Sequence, residues 1–454
     1  MAPLKILIVG CSIAGPTLAM FLLLSDLPPS AKPHITILER ASSIRKQGQN
    51  VDIRGAGVTI IRKLGLENVI RASTTGEIGV QLVDAANRVW SSSTADKTGQ
   101  VSTPTADIEI LRGTLADICH RRSRSVSEEV QRERGVGIEY VFGDYLDSLE
   151  QEGSQVNVRF AKSGNRQTFD VVVGADGLQS GTRSLAWGAE GEKDRIRRLG
   201  MYAAFFSIPK GPTDSEWRRW YHAPGRRGIM ARPSDQKDRT TVFMSVINEE
   251  DERLVQVASK GREDVGAQKR LMADYFQDAG WESPRIIEGM METTDFYYDI
   301  VAQVKMDKWS KGRVVLLGDA GYCASPISGM GTTLALTGAY TLAGALLRNP
   351  QDPPAAFVEY EARMRPVVAR AQKLFPGAPH SMNPQTAWGI WTLHAIFYAV
   401  KRSGLGHVLF LIAWIVNRLR LARLLYRIGG PPANTVQVEE YGFRQLPEWD
   451  GVER

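Results

Sequence analysis

Uninterrupted apolar runs and short alternating segments divide the chain into two kinds of region. Apolar runs of strand length occupy residues 5–9, 34–38, 170–173 and 313–317. Such runs are typical of strands that are buried on both faces of a parallel sheet. Longer stretches of apolar and small residues follow two of these runs and have the length of buried helices. Strand and helix signals that alternate in this way predict an α/β fold with a Rossmann-like domain.

The second kind of region shows the period-two alternation of half-buried strands. Residues 79–83 and 88–90 flank a turn at 84–87, and residues 217–247 contain several short strands separated by Pro and Gly. This spacing predicts an antiparallel sheet. Because these segments interrupt the first pattern, we expect the Rossmann-like domain to be discontinuous, with an antiparallel β-sheet domain inserted into it.

The first apolar run ends in a glycine-containing turn that precedes a predicted helix. Gly10 permits a tight turn, Gly15 allows the helix to pack closely on the strand, and Ala14 lies between them. Ser12 replaces the middle glycine of the usual fingerprint, and it is small enough to keep the approach of a phosphate open. The free N–H groups at the helix N-terminus suit a pyrophosphate. The turn therefore predicts a dinucleotide site, although the same turn alone also serves as a packing device.

An acidic residue supports the dinucleotide interpretation. Glu39 ends the second apolar run and is followed by Arg40. A carboxylate at this position accepts hydrogen bonds from ribose hydroxyls. It would also repel a ribose 2′-phosphate, so the site favours the adenosine of FAD or NAD over that of NADP.

A third segment favours FAD over NAD. Gly318 and Asp319 follow the apolar run at 313–317, where a ligand at the carboxyl ends of parallel strands would lie. Asp319 suits the hydroxyls of a polyol chain, which a nicotinamide cofactor lacks. Residues 328–333 then open a long helix whose N-terminus is suited to an electron-rich ring edge. A plain turn followed by a capped helix is the alternative.

Taken together in this order, the three segments resemble those of the group A flavoprotein monooxygenases, which have the p-hydroxybenzoate hydroxylase-like fold. The resemblance covers about residues 4–375, and residues 47–55 and 318–323 are most similar to the subgroup of tetracycline-degrading and tailoring monooxygenases. Two departures stand out: Tyr322 lies about where the subgroup has a histidine, and residues 201–206 lack an arginine found in some fungal phenol hydroxylases.

The resemblance implies which residues serve the cofactor and the reaction. It implies that Arg54 lies beside the flavin as the candidate catalytic residue, and that Asp176, with Arg183 beyond it, also serves a transient nicotinamide donor. The residues implied to bind FAD are Gly10, Ser12, Ala14, Gly15, Glu39, Arg40, Arg112, Asp176, Asp319, Pro326, Gly329, Met330, Gly331 and Thr332.

The activity implied is that of a FAD-dependent monooxygenase. NADPH or NADH would reduce the flavin, and a C4a-hydroperoxide formed with O2 would oxygenate a small molecule. We expect hydroxylation of an aromatic or polycyclic substrate in secondary metabolism or xenobiotic modification. Epoxidation, Baeyer–Villiger oxygenation, a flavin-linked reductase or dehydrogenase, and a non-catalytic FAD-binding protein remain alternatives.

Motif spacing gives the expected domain limits. The prediction is a FAD-binding domain at residues 1–75, 102–185 and 286–375, a substrate-binding β-sheet domain at 76–101 and 186–285, and a C-terminal helical region at 376–454. A cavity between the first two domains would hold the substrate. Candidates to line it are Phe205, Phe206, Trp220, Tyr221, Met230, Met244 and Pro326.

Composition narrows the remaining classes. The 454 residues are 43% hydrophobic and 23% charged, which is typical of a globular protein. The three cysteines have no framework spacing and suggest a reducing compartment, and the six histidines have no metal-ligand spacing. We expect no metal, because the histidines are scattered. The net charge of +6 alone does not identify a nucleic-acid site, so we also expect no nucleic-acid partner.

The C-terminal region contains two apolar stretches, at residues 387–400 and 404–416, followed by arginines up to residue 427. Both are shorter than the roughly 18 to 20 residues that span a bilayer. We expect two helices that cover the cavity or pair with a second copy, in a monomer or homodimer. The alternative is a peripheral membrane contact through residues 387–427. No N-terminal signal is recognisable, so we expect a cytoplasmic protein, with membrane association as the alternative.

Overall fold

The computed structural model of the protein describes residues 3–45, 48–94, 108–261, 263–403 and 438–451. Its strands are β1 (Lys5–Val9), β2 (His34–Glu39), β3 (Asn50–Ile53), β4 (Gly79–Val83), β5 (Val89–Thr94), β6 (Ile108–Leu111), β7 (Ile138–Phe142), β8 (Leu146–Glu152), β9 (Gln155–Phe160), β10 (Arg166–Phe169), β11 (Val171–Gly174), β12 (Ile196–Pro209), β13 (Trp217–Ala223), β14 (Arg227–Pro233), β15 (Arg239–Ile247), β16 (Tyr297–Val304), β17 (Ser310–Lys311) and β18 (Val314–Leu316).

Its helices are α1 (Ala14–Leu23), α2 (Ala56–Lys63), α3 (Glu67–Ala72), α4 (Arg112–Arg132), α5 (Gly181–Trp187), α6 (Glu192–Arg195), α7 (Glu252–Ser259), α8 (Val265–Phe276), α9 (Ser283–Glu292), α10 (Asp319–Tyr322), α11 (Gly331–Arg348), α12 (Pro353–Ala371) and α13 (Ala387–Arg402).

The first sheet brings the three glycine segments together. Its strand order is β17-β18-β11-β1-β2-β7, and all neighbours are parallel except β17 and β18. The apolar runs form its central strands, which are buried because α1, α11 and the short antiparallel sheet β10-β9-β8 cover them. Val9 pairs with Gly174, and Gly174 pairs with Leu316. The turns that follow β1, β11 and β18 therefore lie side by side at one edge, as the α/β prediction requires.

The second sheet has the order β16-β12-β15-β14-β13-β4-β5. One face packs against α7, α8 and α9 in an apolar core, and the other faces the first domain. The sheet is antiparallel as predicted except for one parallel pair, β13 and β4. Its edge strand β16 comes from the segment 286–304, which the sequence placed in the FAD-binding domain. The domain boundary lies later because residues 297–304 pair with β12 rather than with the first sheet.

The described part of the C-terminal region includes helix α13 and a non-helical segment at residues 438–451. Thr386 caps α13 by accepting a hydrogen bond from Gly389 N–H, and α13 packs on β5 and β13. Residues 438–451 have no helix. They lie extended along the first domain, where Leu446 N–H donates to the Lys63 carbonyl and Trp449 N–H donates to the Gly65 carbonyl.

The second apolar stretch and the basic cluster that follows it, residues 404–427, lie outside the described residues. One side of α13 carries exposed aromatic rings: Trp388 is 72% exposed and Trp391 is 55% exposed. None of the helices in the described ranges combines the length and apolar character needed to cross a bilayer.

Candidate active site

A cavity of about 1800 Å³ lies between the motif edge of the first sheet and the inner face of the second. Ligand pockets for a single small molecule are commonly about 300–1,000 Å³. The space is therefore large enough for a dinucleotide cofactor together with a small substrate.

Two glycines of the first turn are required by close backbone contacts. Gly10 has a φ of +115°, and a Cβ there would lie 2.4 Å from the carbonyl oxygen of Ala175. A Cβ on Gly15 would lie 2.1 Å from the carbonyl oxygen of Gly10. No side chain fits at these distances, so the turn after β1 can lie directly against both the start of α1 and the loop after β11.

One end of the cavity carries residues of the predicted pyrophosphate turn, together with Arg40, which follows the residue predicted for the adenosine ribose. Ser12, Ala14 and Arg40 line it, and Arg112 at the start of α4 lies 3.5 Å from Ser12 Oγ through its Nη2. The Glu39 carboxylate lines a small adjoining pocket with Ser12 and Arg112.

Glu39 already has protein partners. Its Oε2 accepts a hydrogen bond from Cys11 N–H at 3.0 Å, and its Oε1 accepts one from Ala41 N–H at 3.0 Å. Arg45 lies 3.9 Å away. The carboxylate therefore holds the first turn and the end of β2 in place, and its contact with a ribose stays a prediction.

Asp319 lines the same cavity. It begins α10 directly after Gly318, and its side chain is exposed to the cavity. Burial raises the pKa of Asp319 above its ordinary value, and nearby Arg112 opposes that shift. A cofactor hydroxyl would donate a hydrogen bond to the ionised carboxylate.

The predicted flavin loop is a 3₁₀ turn, Pro326–Ser328, followed by the N-terminus of α11. Pro326, Gly329, Gly331 and Thr332 line the cavity, and their contact with FAD stays a prediction. Gly329 has a φ of +62°, a conformation that favours glycine. The Met330 side chain instead packs in the core of the first domain and does not line the cavity. If Met330 contacts FAD, it does so through its backbone rather than its side chain.

Asp176 also lines the cavity, but its oxygens are occupied within the loop. Oδ1 accepts a hydrogen bond from Ser180, and Oδ2 accepts two from the backbone and hydroxyl groups of Thr182, each at 2.9 Å. These bonds shape the loop after β11, and a direct contact of Asp176 with FAD stays a prediction.

Arg183 is fully buried and joins two of the motif loops. It donates to Glu192 and, through Nη1, to the Ala320 carbonyl at 2.7 Å. Its side chain is thus enclosed by protein rather than directed at a ligand.

Arg54 follows β3 at the flavin end of the cavity. Its Nη2 donates to Asp52 Oδ2 at 2.7 Å, and its backbone N–H donates to Thr333 Oγ1 of α11 at 3.0 Å. Both Arg54 and Asp52 line the cavity. Arg54, the predicted catalytic residue, therefore forms an ion pair with Asp52, and its backbone is hydrogen-bonded to α11.

The sequence did not indicate an ion network that lies between the two domains. Arg218 and Arg232 of the second sheet each contact Glu77 and Glu109, with Arg218 Nη2 2.7 Å from Glu77 and 3.0 Å from Glu109. Burial opposes ionisation of Glu77, but the arginines hold its pKa below the ordinary value. At Glu109, burial outweighs the arginines and raises the pKa. No local motif announces these residues, because they come from four separate segments.

The inner face of the second sheet carries a continuous, mostly apolar row. Paired positions on neighbouring strands line up across all seven strands, and every member of the row lines the cavity. The row, in strand order from β16 to β5, is Tyr297, Phe205, Phe243, Met230, Trp220, Leu82 and Ser91.

The row separates the predicted substrate contacts into two groups. Phe205, Trp220, Met230 and Pro326 line the cavity. Phe206, Tyr221 and Met244 point to the opposite face and pack with α7 to α9. Side chains alternate between the two faces along each strand, and this alternation determines which group each residue joins. The sequence alone did not show which of the two faces borders the cavity.

The C-terminal segment closes the far side of the cavity. Met382, Leu393 and Phe397 line it. His394 of α13 lies against His222 of β13, with Nε2 and Nδ1 3.2 Å apart. Burial lowers the pKa of His222 to about 3 and also lowers that of His394, so this contact joins two neutral rings at neutral pH.

The residues present fit a bound FAD. The glycine turn leaves room that any Cβ would fill, the N-termini of α1 and α11 face one cavity, and the Asp319 carboxyl is exposed to it. These donors and acceptors match a pyrophosphate, a ring edge and a polyol chain. Among the described residues, no group of three or more histidine, cysteine or acidic side chains could hold a metal ion.

Comparisons with known proteins agree with this geometry. The sequence profile of a FAD binding domain family matches residues 3–374. Monooxygenase CTB7 of Cercospora beticola is 34% identical over 381 residues, which are 83% of this chain and 88% of that protein. FAD-dependent monooxygenase asL6 of Sarocladium schorii is 32% identical over 442 residues, 96% of this chain and 98% of that protein. The chain belongs to the FAD-dependent monooxygenases.

Solved structures share the fold. Tetracycline destructase Tet(51) superposes with a TM-score of 0.67 at 31% identity, covering 82% of this chain and 88% of that one. A variant of Klebsiella pneumoniae HpxO complexed with FAD gives a TM-score of 0.64 over 90% of this chain and 99% of that one, and at 18% identity it shows the fold alone. The monooxygenase thus has the p-hydroxybenzoate hydroxylase-like fold and uses FAD on small molecules.

Proposed function

We propose that this monooxygenase uses NADPH or NADH and O2 to hydroxylate a planar aromatic or polycyclic small molecule. One observation carries the proposal: the apolar row of the second sheet shares a single cavity with Asp319 and the loop from Pro326 to Thr332. A substrate lying on the row would face the ring of a cofactor held by that loop.

The chemistry of the row favours a flat substrate. Aromatic and long apolar side chains lie next to one another across the sheet, and the Phe205 and Phe243 ring centroids are 4.9 Å apart. Such surfaces bind planar rings by stacking and by removing apolar area from water. Polar side chains border the row on both sides, with Arg218 and Arg232 on one and Asp299 and His222 on the other. They would bind oxygen substituents at the edges of the rings.

The bound flavin would supply the oxidant, a C4a-hydroperoxide formed from reduced FAD and O2. The chain's own residues would orient the substrate and exclude water from the reacting atoms. The pair of Arg54 and Asp52 supports the flavin end through Thr333. Epoxidation and Baeyer–Villiger oxygenation use the same oxidant and remain second candidates.

The first experiment is an absorption spectrum of the purified protein, followed by oxygen uptake with NADPH or NADH and a panel of aromatic and polycyclic compounds. We expect bound flavin, and oxygen uptake that a planar substrate stimulates. Product formed under ¹⁸O₂ should carry one labelled oxygen atom. Nicotinamide oxidation without substrate-dependent oxygen incorporation would indicate a reductase instead. A colourless protein that does not take up added FAD would overturn the proposal.

A variant tests the role of Arg54. Arg54→Ala should lower the product formed per donor oxidised by about tenfold, the effect of losing a charge-assisted contact of about 1.5 kcal/mol. The control is Arg62→Ala, an exposed arginine of α2 that pairs with Glu67 away from the cavity. Coupled turnover and substrate affinity that are the same in Arg54→Ala and the unchanged enzyme would exclude the role.

A further inference from the structure

The cavity has a second lobe, which turns around the edge strand β16. Tyr297 and Asp299 face the main cavity, whereas Tyr298 and Ile300 lie on the opposite face of β16 and pack in one core with Phe296, which precedes the strand. All five residues line the same continuous space. Residues on both faces of one strand can do so only if the space bends around the sheet edge. The lobe behind β16 is bounded by the loop after β11 on one side and by α7 and α8 on the other.

Basic side chains concentrate in this second lobe. Lys193 of α6, Arg198 of β12 and Lys260 at the end of α7 line it, and all three are exposed. In the described structure, Lys193 and Arg198 make no side-chain hydrogen bond or ion pair, and Lys260 has a distant one of 3.8 Å with Asp264. Cations that line a concave surface without strong partners attract anionic ligands.

Few free carboxylates oppose these cations. Glu192 lines the lobe, but its carboxylate is paired with the buried Arg183 at 2.5 Å and with Arg195 at 3.1 Å. Asp176 of the loop after β11 has both oxygens bonded to Ser180 and Thr182, and Glu263 is an exposed acid that also lines the cavity. The lobe therefore has a net positive charge.

A register shift in β12 directs Arg198 into the lobe. The pairing of β12 with β16 is irregular between Arg198 and Met201. Before the shift, Arg198 pairs with Ala302, on the same side of β16 as Tyr298 and Ile300. Its neighbour Arg197 pairs with Gln303, is equally exposed, and does not line the cavity.

The lobe also adjoins the cofactor's end of the cavity. Gln179 and Leu178 line it and belong to the loop after β11. The same loop packs against the first glycine turn, since Ala175 is the residue that a Cβ on Gly10 would strike. An anionic ligand in the lobe would thus lie beside the loop that supports the FAD site.

We propose that Lys193, Arg198 and Lys260 bind the phosphates of the nicotinamide donor, and that they make NADPH the preferred donor. This inference rests on the proposed function, since it gives that function's reductant a place. NADPH carries a 2′-phosphate in addition to the pyrophosphate that NADH also has, so it gains more from three cations. At the FAD end, by contrast, the carboxylate of Glu39 disfavours a 2′-phosphate.

The test compares Arg198→Ala with Arg197→Ala, which removes an adjacent exposed arginine outside the cavity. Arg198→Ala should raise the KM for NADPH about three- to fivefold, as expected for one partly screened charge contact, and raise that for NADH less. Lys193→Ala/Arg198→Ala should raise the KM for NADPH about tenfold if the two contacts add. Arg197→Ala should leave both constants unchanged.

Direct binding separates this proposal from the proposed function. Titration calorimetry with 2′,5′-ADP, with 5′-ADP for comparison, reports on the lobe without any turnover. We expect 2′,5′-ADP to bind more tightly than 5′-ADP, and the double variant to lose most of that difference. Reduction of the bound flavin by dithionite should be unchanged in all variants. Equal binding of 2′,5′-ADP to the unchanged protein and the double variant, or equal effects of Arg197→Ala and Arg198→Ala, would overturn the assignment. An enzyme that shows no substrate-dependent oxygenation but keeps the binding difference would instead contradict the proposed function alone.

Discussion

The two sheets both present residues to the cavity, but they specify those residues in different ways. At the first sheet, the site is made of backbone: Gly10 and Gly15 are required because a Cβ would strike a carbonyl oxygen. At the second sheet, the site is made of side chains selected by strand register, such as Phe205 and Trp220. A backbone requirement leaves a local mark in the sequence. A register requirement does not, because a shift of one residue would exchange the two faces.

The largest effect is expected where the two sheets meet. Glu109→Ala should lower the free energy of unfolding by about 3–5 kcal/mol, because it leaves the largely enclosed Arg218 and Arg232, whose side chains are 12% and 11% exposed, with Glu77 as their remaining carboxylate partner. Urea unfolding measures the loss. Glu150→Ala, which removes an exposed glutamate of β8, should cost less than about 0.5 kcal/mol. Equal costs for the two variants would show that the network does not hold the domains together.

The next prediction tests the assignment of faces in the second sheet. Phe206→Ala should lower the free energy of unfolding by about 3–5 kcal/mol, since Phe206 packs in the core with Phe296, and should leave substrate affinity unchanged. Phe205→Ala should do the opposite, weakening substrate binding with a smaller loss of stability, because Phe205 borders the cavity. Unfolding curves and flavin difference spectra measure the two effects. An exchange of these results would mean that the substrate lies elsewhere.

These particulars show what the sequence could and could not predict. It predicted the α/β fold and the meeting of three glycine segments, since each segment follows from a strand, a turn and a helix that are adjacent in the chain. Ser12, Asp319 and Pro326 of these segments line the cavity, and their roles toward FAD stay predictions. The sequence did not predict the Met330 side chain in the core, nor the membership of β16 in the second sheet. The contacts that decide these features join segments far apart in sequence.

The close backbone contacts of the glycine turn after β1 predict that a side chain at Gly15 causes loss of the cofactor. Gly15→Ala should destabilise the fold by about 3 kcal/mol, the upper range for forcing an atom into a packed site, and should yield protein with little bound flavin. The control is Gly181→Ala at the start of α5, where a Cβ would meet only Asp176 Oδ2 at 3.9 Å. The flavin-to-protein absorbance ratio measures the outcome. Full flavin content in Gly15→Ala would show that the turn tolerates a wider approach than its geometry indicates.

The smallest effect concerns the contact between α13 and the second sheet. Burial lowers the pKa of His222 to about 3, below the ordinary value of 6.5, so the folded protein keeps this ring neutral while the unfolded chain binds a proton. The unfolded state then takes up more protons as the pH falls below 6.5, and the stabilising difference is lost progressively down to about pH 3. Lowering the pH from 7 to 5 should cost about 2 kcal/mol through this residue.

Urea unfolding at the two pH values measures that slope. His222→Phe should remove about 2 kcal/mol of the pH-dependent loss, because phenylalanine has no group to protonate. Since His222 contacts His394 across the cavity wall, the same slope reports whether α13 stays docked on the sheet. A slope identical in His222→Phe and the unchanged protein would mean that α13 leaves the sheet before the ring is protonated. The side of the cavity formed by α13 and the second sheet would then be less firmly fixed than the glycine turn of the first sheet.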